Sequence, residues 1–186
     1  PVLLEQCFKG MFGPEDDHYV YPRFGHPNTE FLGCQISAIE DAAWTAVVGS
    51  GQAAMSTIVN ALTDVGDAIV ASSRLYGGTL NLLNSLSGWR KIAVKFVDVT
   101  DPEAIERAFK RRRPKVFIVE PVSNPSVVTA DILAIAALAQ HYGVFVIADN
   151  TFMPLAILPL RLGVGAVVHS LTKYISGSSD GLGGSI

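Results

Sequence analysis

A chain of 186 residues, 49% hydrophobic and 17% charged, is long enough to bury one real core and has a folded rather than a disordered composition. Its formal charge of −3 argues against a general attraction to nucleic acid or to anionic membranes, and no stretch approaches the roughly 18 apolar residues of a membrane span. Cys7 and Cys34 fall outside any metal-binding spacing and suit a reducing compartment; with no signal-peptide pattern at the start, a cytoplasmic protein is expected.

Residues 1 to about 40 read as irregular, broken by Gly10, Gly13, Pro14, Pro22, Gly25 and Pro27. Such an arm is expected to lie across its own domain or a partner. A βα rhythm begins at Trp44–Val48, a short strand, followed by the turn Gly49-Ser50-Gly51 and a helix over Gln52–Leu62. Ala68–Ala71 is a strand and a helix opens near Tyr76. Ile92–Val97 is a strand. Asp101–Arg111 is a helix with Thr100 or Asp101 as cap and Pro102 in its first turn. Val116–Val119 is a strand ending in Glu120-Pro121. Ile132–Tyr142 is a helix closed by Gly143, which suits a left-handed C-cap. Val144–Ala148 and Ala166–Val168 are strands ending at Asp149 and at His169-Ser170. The basic run Lys110–Lys115 reads as a solvated helix end, where cations complement the dipole.

These strands are short and apolar without alternation, so both faces must be covered. The fold class is α/β, a doubly wound, mostly parallel sheet. Ligands in such sheets bind beyond the carboxyl ends of the strands. Gly49–Gln52, Ser72–Tyr76, Glu120–Asn124, Asp149–Thr151 and Ser170–Lys173 all fall there.

Four of these stretches carry candidate chemistry. Gly49-Ser50-Gly51-Gln52 joins a strand to a helix through a glycine turn, which presents free N–H groups to an anion. Alone it fits a structural turn, a dinucleotide site or another phosphate site equally well. Asp149 follows a buried strand directly. It is either a helix cap or the ion-pair partner of a protonated ring nitrogen, since a buried carboxylate is costly without a cation. Lys173 follows another buried strand beside Ser170 and Thr172, whose alternation lets both hydroxyls reach one phosphate. A lysine partly desolvated there can form an imine. His169 reads as a packed structural histidine. Tyr76, before Gly77-Gly78, is either a core tyrosine opening a helix or a ring stacked on a flat ligand.

In this order the sequence resembles the PLP-dependent enzymes of cysteine and methionine metabolism, the transsulfuration group of fold type I. The matching stretches are Tyr21-Pro22-Arg23, Gly49 to Ala54, Ser73 to Thr79, Ser123-Asn124-Pro125, Asp149 to Phe152 and His169 to Tyr174. The resemblance implies pyridoxal 5'-phosphate held as a Schiff base on Lys173, with Asp149 on the pyridinium N–H. It implies Tyr76 stacked on the ring and assisting as acid or base. Gly51, Gln52, Ser170 and Thr172 would bind the phosphate, Asn124 would lie near the 3' oxygen and Thr151 near the ring. Tyr21 and Arg23 match a pair that reaches the neighbouring subunit's phosphate. Residues 1–40 would thus be an arm contacting that subunit, in a homodimer or homotetramer, and residues 41–186 the PLP-binding large domain. Family members continue with a small C-terminal domain that supplies an arginine for the substrate carboxylate, and no residue here takes that role.

Within the family, Ser170 to Gly177, with Pro154 and Pro159, is most similar to methionine γ-lyase. That implies elimination of methanethiol from methionine, leaving 2-oxobutanoate and ammonia. Gamma-replacement, as in O-acetylhomoserine sulfhydrylase or cystathionine γ-synthase, and cystathionine cleavage stay open. From other classes, so do an NAD(P)-binding oxidoreductase, which explains nothing at Asp149 or Lys173, and a non-catalytic scaffold.

Overall fold

The computed structural model describes Tyr19, residues 21–23 and residues 25–186. Helix α1 (Pro27–Glu40) leads into β1 (Val47–Val48), α2 (Gly51–Leu62), β2 (Ala68–Ser72), α3 (Gly77–Trp89) and β3 (Ala93–Val97). There follow α4 (Pro102–Arg112), β4 (Val116–Val119), α5 (Ile132–Tyr142), β5 (Phe145–Asp149), a 3₁₀ turn (Pro159–Leu162), β6 (Ala166–Ser170) and β7 (Gly184–Ser185).

The strands form one sheet in the order β1-β7-β6-β5-β4-β2-β3. From β3 to β6 every pairing is parallel, whereas β7 runs antiparallel between β6 and β1. The chain moves outward from β2 to β3, then returns to place β4 on the other side of β2. The winding therefore reverses between β2 and β4, the position where doubly wound sheets open a crevice.

The apolar strands are explained by their two covered faces. Alternate residues enter opposite cores, because successive strand side chains point to opposite sides. Ile69, Ala71, Val116, Ile118, Ile147 and Val168 pack with Met55 and Val59 of α2 and Leu83 and Leu86 of α3. Val70, Phe117, Val119, Val146, Ala148 and Val167 pack with Ile105 and Phe109 of α4 and Ile135 and Ala139 of α5. Phe109 meets Phe117 edge to face at 5.4 Å between ring centroids.

Local capping fixes the helix ends. Asp101 accepts a hydrogen bond from Ala104 N–H at 2.9 Å, and Asp131 one from Ala134 N–H at 3.0 Å. Gly143 closes α5 at φ 67°, the left-handed conformation glycine tolerates best. Lys110, Arg111 and Arg112 form the last turn of α4, with Lys110 paired to Glu106 at 2.8 Å, so the basic run is a solvated helix end.

Three expectations are corrected. Residues 27–40 are helical, not irregular: Pro27 opens the helix instead of interrupting it, and the His26 side chain caps Asn28 N–H. The helical period is hard to see because only Gly33, Ile36 and Glu40 are buried. Gly33 is there for contact, since a Cβ would lie 2.9 Å from Thr45 O. The expected strand Trp44–Val48 shrinks to Val47–Val48, and Trp44 is 72% exposed. Strand β7 was not expected. It has two small residues, and Gly184 is pressed so close to Ser50 that a Cβ would come within 2.1 Å of its carbonyl oxygen. The expected breakers Gly10, Gly13 and Pro14, and Cys7, lie outside the described residues, while Cys34 is an exposed free thiol. Among the described residues no helix is long and apolar enough to cross a membrane.

Phe117 is fully buried between two layers. Phe117→Ala is expected to destabilise the protein by about 3–5 kcal/mol, whereas Leu133→Ala, at an exposed position of α5, should change stability by less than about 0.5 kcal/mol. Paired urea melts check this.

Candidate active site

The polar ends of β2, β4, β5 and β6 and the start of α2 surround one open cleft of about 850 Å3. Its lining includes Gly51, Gln52, Tyr76, Asn124, Asp149, Thr151, Ser170, Thr172 and Lys173. Of the residues that the resemblance assigns to the cofactor, Tyr21 and Arg23 lie elsewhere. They are exposed, with the Arg23 guanidinium 5.3 Å from the Tyr21 ring centroid.

One wall is the N-terminus of α2. Ser50 satisfies two of the first helical donors: its side chain accepts from Ala53 N–H at 3.0 Å and its carbonyl from Ala54 N–H at 3.0 Å. The N–H groups of Gly51 and Gln52 are left for an outside acceptor, at the positive end of the helix dipole. Gly51 brings this terminus against β6, because a Cβ there would lie 2.6 Å from Ser170 Cβ. The donors and the Ser170 hydroxyl are thereby gathered at one spot, a donor set that fits a phosphate.

The floor holds two carboxyl groups. Asp149 accepts from Thr151 N–H at 3.1 Å, and the Thr151 hydroxyl accepts from Ser170 N–H at 2.8 Å. Desolvation pushes the Asp149 carboxyl above the usual carboxylate range, against the pull of the Thr151 hydroxyl and N–H and the field of His169. Among the described residues Asp149 has no ion-pair partner. Such a group fits a cationic ring nitrogen, which would supply the missing charge.

The second carboxyl is Glu120, 5% exposed. Its oxygens accept from Tyr76 N–H at 2.5 Å and from Asn124 N–H at 2.9 Å. Desolvation raises its pKa to about 7; the two N–H groups oppose the shift and the nearby Asp149 adds to it. Sequence reasoning did not select Glu120 as a site residue. The signal was present, since it follows an all-apolar strand as directly as Asp149 does.

Tyr76 is half exposed, at the start of α3. Gly78 makes room for it: a Cβ there would lie 2.6 Å from Tyr76 Cε1 and 2.9 Å from Gln52 Nε2. On the opposite side Phe152 meets Tyr174 edge to face at 5.7 Å. Ser179, Asp180, Gly181 and Leu182 complete the rim; they belong to no sequence motif.

Two expectations are refined. Lys173 reaches the cleft but is exposed, so the protein's own side chains do not provide the desolvation expected for it. The Thr172 hydroxyl accepts from Gly183 N–H at 3.1 Å and donates to Gly183 O at 3.3 Å; it closes the loop after β6 as well as lining the cleft. His169 faces away from the cleft. It is 1% exposed, with Nε2 at 2.6 Å from Glu40 Oε1, which agrees with a structural histidine.

Residues 3–186 match the family described as Cys/Met metabolism PLP-dependent enzymes. A methionine gamma-lyase from Arabidopsis thaliana is 38% identical over the whole chain, which covers 42% of it. An O-acetyl-L-homoserine sulfhydrylase from Leptospira meyeri is 37% identical over 95% of the chain and 40% of its own length. A cystathionine gamma synthase from Xanthomonas oryzae pv. oryzae, solved with aminoacrylate and cysteine, superimposes with a TM-score of 0.87 at 32% identity, over 92% of this chain and 44% of that one. The chain thus spans less than half the length of these relatives. A candidate O-acetylhomoserine (thiol)-lyase from Campylobacter jejuni, whose structure holds N'-pyridoxyl-lysine-5'-monophosphate, superimposes with a TM-score of 0.89 at 31% identity, over 98% of this chain and 44% of that one. With its fold, its phosphate-type donor set, its cationless carboxyl and a family match along nearly its whole length, the chain belongs to the Cys/Met metabolism PLP-dependent enzymes of fold type I, and pyridoxal 5'-phosphate is its cofactor.

Proposed function

We propose that this chain forms the cofactor domain of a carbon–sulfur lyase acting on a sulfur-containing amino acid, with methionine γ-elimination as the specific reaction. The observation that carries the reading is the convergence of a primary amine, Lys173, and a desolvated carboxyl lacking a cation, Asp149, in one cleft with an anion-ready helix terminus. Identity of 38% to a methionine gamma-lyase along the whole chain supports the choice of methionine. Comparable identity to a sulfhydrylase makes γ-replacement on an O-acylated homoserine the second reading.

When bound, the cofactor supplies an electron sink conjugated to the amino acid's Cα. The chain's residues do the rest. The Gly51 and Gln52 N–H groups and the Ser170 hydroxyl hold the phosphate, with Thr172 at its side. Asp149 would keep the ring nitrogen protonated, Thr151 orients Asp149, and Asn124 would lie near the 3' oxygen. Tyr76 covers the ring face, and its phenol is available to the leaving thiolate. Lys173 would anchor the cofactor through its amine, and that amine would carry protons at the substrate's Cα and Cβ. Methionine and one water become methanethiol, 2-oxobutanoate and ammonia. Tyr21 and Arg23, remote from this cleft, serve the phosphate of a neighbouring copy in a homo-oligomer.

The visible absorption of the protein with PLP, compared between wild type and Lys173→Ala, tests the anchor. A band that survives dialysis in wild type and is lost in the variant is expected. Methionine should then perturb the band and release 2-oxobutanoate. Turnover of O-acetylhomoserine with sulfide, and none of methionine, would favour the second reading. A wild type without the band would overturn both.

The two floor carboxyls set a pH dependence. Both are raised, Glu120 to about 7, so the folded protein retains protons that the unfolded chain has already lost. Stability of the cofactor-free protein from this source is full near pH 4 and falls as pH rises through about 7. Asp98 and Glu106 are lowered and act below that window. Melting at pH 5 and pH 8 should show lower stability at pH 8 without PLP. PLP should reduce that deficit at pH 8, because a pyridinium favours the ionised form of Asp149, whose pKa burial raises. An equal gain at both pH values would contradict the assigned ion pair.

A further inference from the structure

Glu120 has no role in the scheme above, yet it is buried and accepts two backbone hydrogen bonds at the edge of the cleft. Helix α3 begins poorly on local grounds. Its N-cap is Tyr76, which makes no side-chain capping bond, and its first two residues are Gly77 and Gly78. Tyrosine is not among the residues preferred at this position, and glycine is a weak helix former. A glutamate at the third helical position can reach back to the N-cap N–H. Thr79 holds that position, and its hydroxyl is buried without a partner. The N-cap N–H is met from another element: Glu120 Oε1, at the end of β4 and 44 residues away, accepts it at 2.5 Å. The other carboxyl oxygen accepts Asn124 N–H at 2.9 Å. One buried carboxyl therefore ties together the turn carrying Tyr76 and the loop carrying Asn124.

We propose that Glu120 is a positioning residue: its carboxylate clasps the Tyr76 turn to the Asn124 loop and so fixes the Tyr76 ring over the cofactor. The proposal rests on the cofactor assignment above and extends it to a residue that scheme does not use. Ionisation should govern the clasp, because a carboxylate accepts two N–H bonds whereas a protonated group turns one oxygen into a donor. Hydrogen bonds to charged groups are also the stronger ones. The other titratable groups lining the cleft are Asp149, Lys173, Tyr76, Tyr174 and Asp180, so the pH response of Glu120 must be read as a difference between wild type and variant.

The test compares wild type, Glu120→Gln, Tyr76→Ala and the double variant, each with PLP. In glutamine an NH2 group faces one of the two N–H donors, so one bond is lost while volume is kept. Glu120→Gln is expected to weaken apparent PLP affinity by roughly tenfold, the scale of one hydrogen bond to a charged group. It should also reduce the circular dichroism of the cofactor band. The wild-type dichroism should grow as pH rises through about 7, while the variant stays near the low-pH value. In the Tyr76→Ala background, Glu120→Gln should add little, because the ring it positions is gone. Amide hydrogen exchange over residues 74–79 in the cofactor-free protein should be faster in Glu120→Gln. Unchanged exchange, or a dichroism profile identical to wild type, would overturn the clasp, as would full additivity with Tyr76→Ala. A wild type that never forms the Lys173-dependent band overturns the cofactor reading instead, and the exchange rates then decide the clasp by themselves.

Discussion

Asp149 is a carboxyl group that the fold desolvates, with no ion-pair cation for it among the described residues. Burial of a charge is stable only if a partner is supplied or the charge is neutralised. Burial raises the Asp149 pKa in the protein alone, the direction of the second outcome. Much of the site follows from that unbalanced group. Thr151 exists at this point in two capacities, donating to Asp149 and accepting from Ser170 N–H. It therefore locks the end of β5 to the end of β6. The cleft is held open toward a ligand whose ring is cationic at one end and whose phosphate is anionic at the other.

The other end of that ligand is prepared by backbone. Gly51 allows α2 to approach β6 until only hydrogen fits between Gly51 and Ser170, and Gly184 allows β7 to close on Ser50 in the same way. These contacts aim two unused N–H groups at the same volume as the Ser170 hydroxyl. A side chain at either glycine would push the helix terminus off the sheet. Gly78 plays the corresponding part for Tyr76 and Gln52. Gly51, Gly78 and Gly184 are thus placed where a phosphate and a ring face need the backbone to come close.

How much of this was legible depended on which physical signal each element left in the chain. Val116–Val119 and Ile132–Tyr142 were read with the bounds the structure shows, because a fully buried strand and a helix with an aspartate cap and a terminal glycine both leave strong local patterns. Lys173, Asp149, Ser170 and Gly51 were legible as polar or small residues at the ends of apolar strands. Helix α1 was not, since a helix burying three residues has almost no periodic stripe. Nor was β7, which is defined by its partners and not by its own composition. Glu120 looked like a strand-end residue, and its second contact, to Tyr76, is 44 residues distant. Tyr21 and Arg23 do not line the cleft, and they were singled out by the family resemblance alone.

The reverse side of the same strand ends carries a second polar group of residues, and period 2 explains why. Asp149 faces the cleft, and Asn150 turns away to donate to Ile157 O at 2.9 Å and toward Glu40 Oε1 at 3.4 Å. Ser170 faces the cleft, and His169 turns away to meet Glu40 Oε1 at 2.6 Å. Each site residue is thus chemically bonded to a neighbour whose side chain is buried in the opposite layer, and both neighbours converge on one carboxylate at the end of α1. All three are no more than 2% exposed, so a slip of one residue in β5 or β6 would drive Asp149 or Ser170 into that packed layer and withdraw it from the cleft. The polar triad behind the sheet therefore acts as a register lock. It specifies which member of each adjacent pair, Asp149 or Asn150 and His169 or Ser170, is presented to the ligand, a choice that apolar packing of β5 and β6 on two similar faces would specify only weakly.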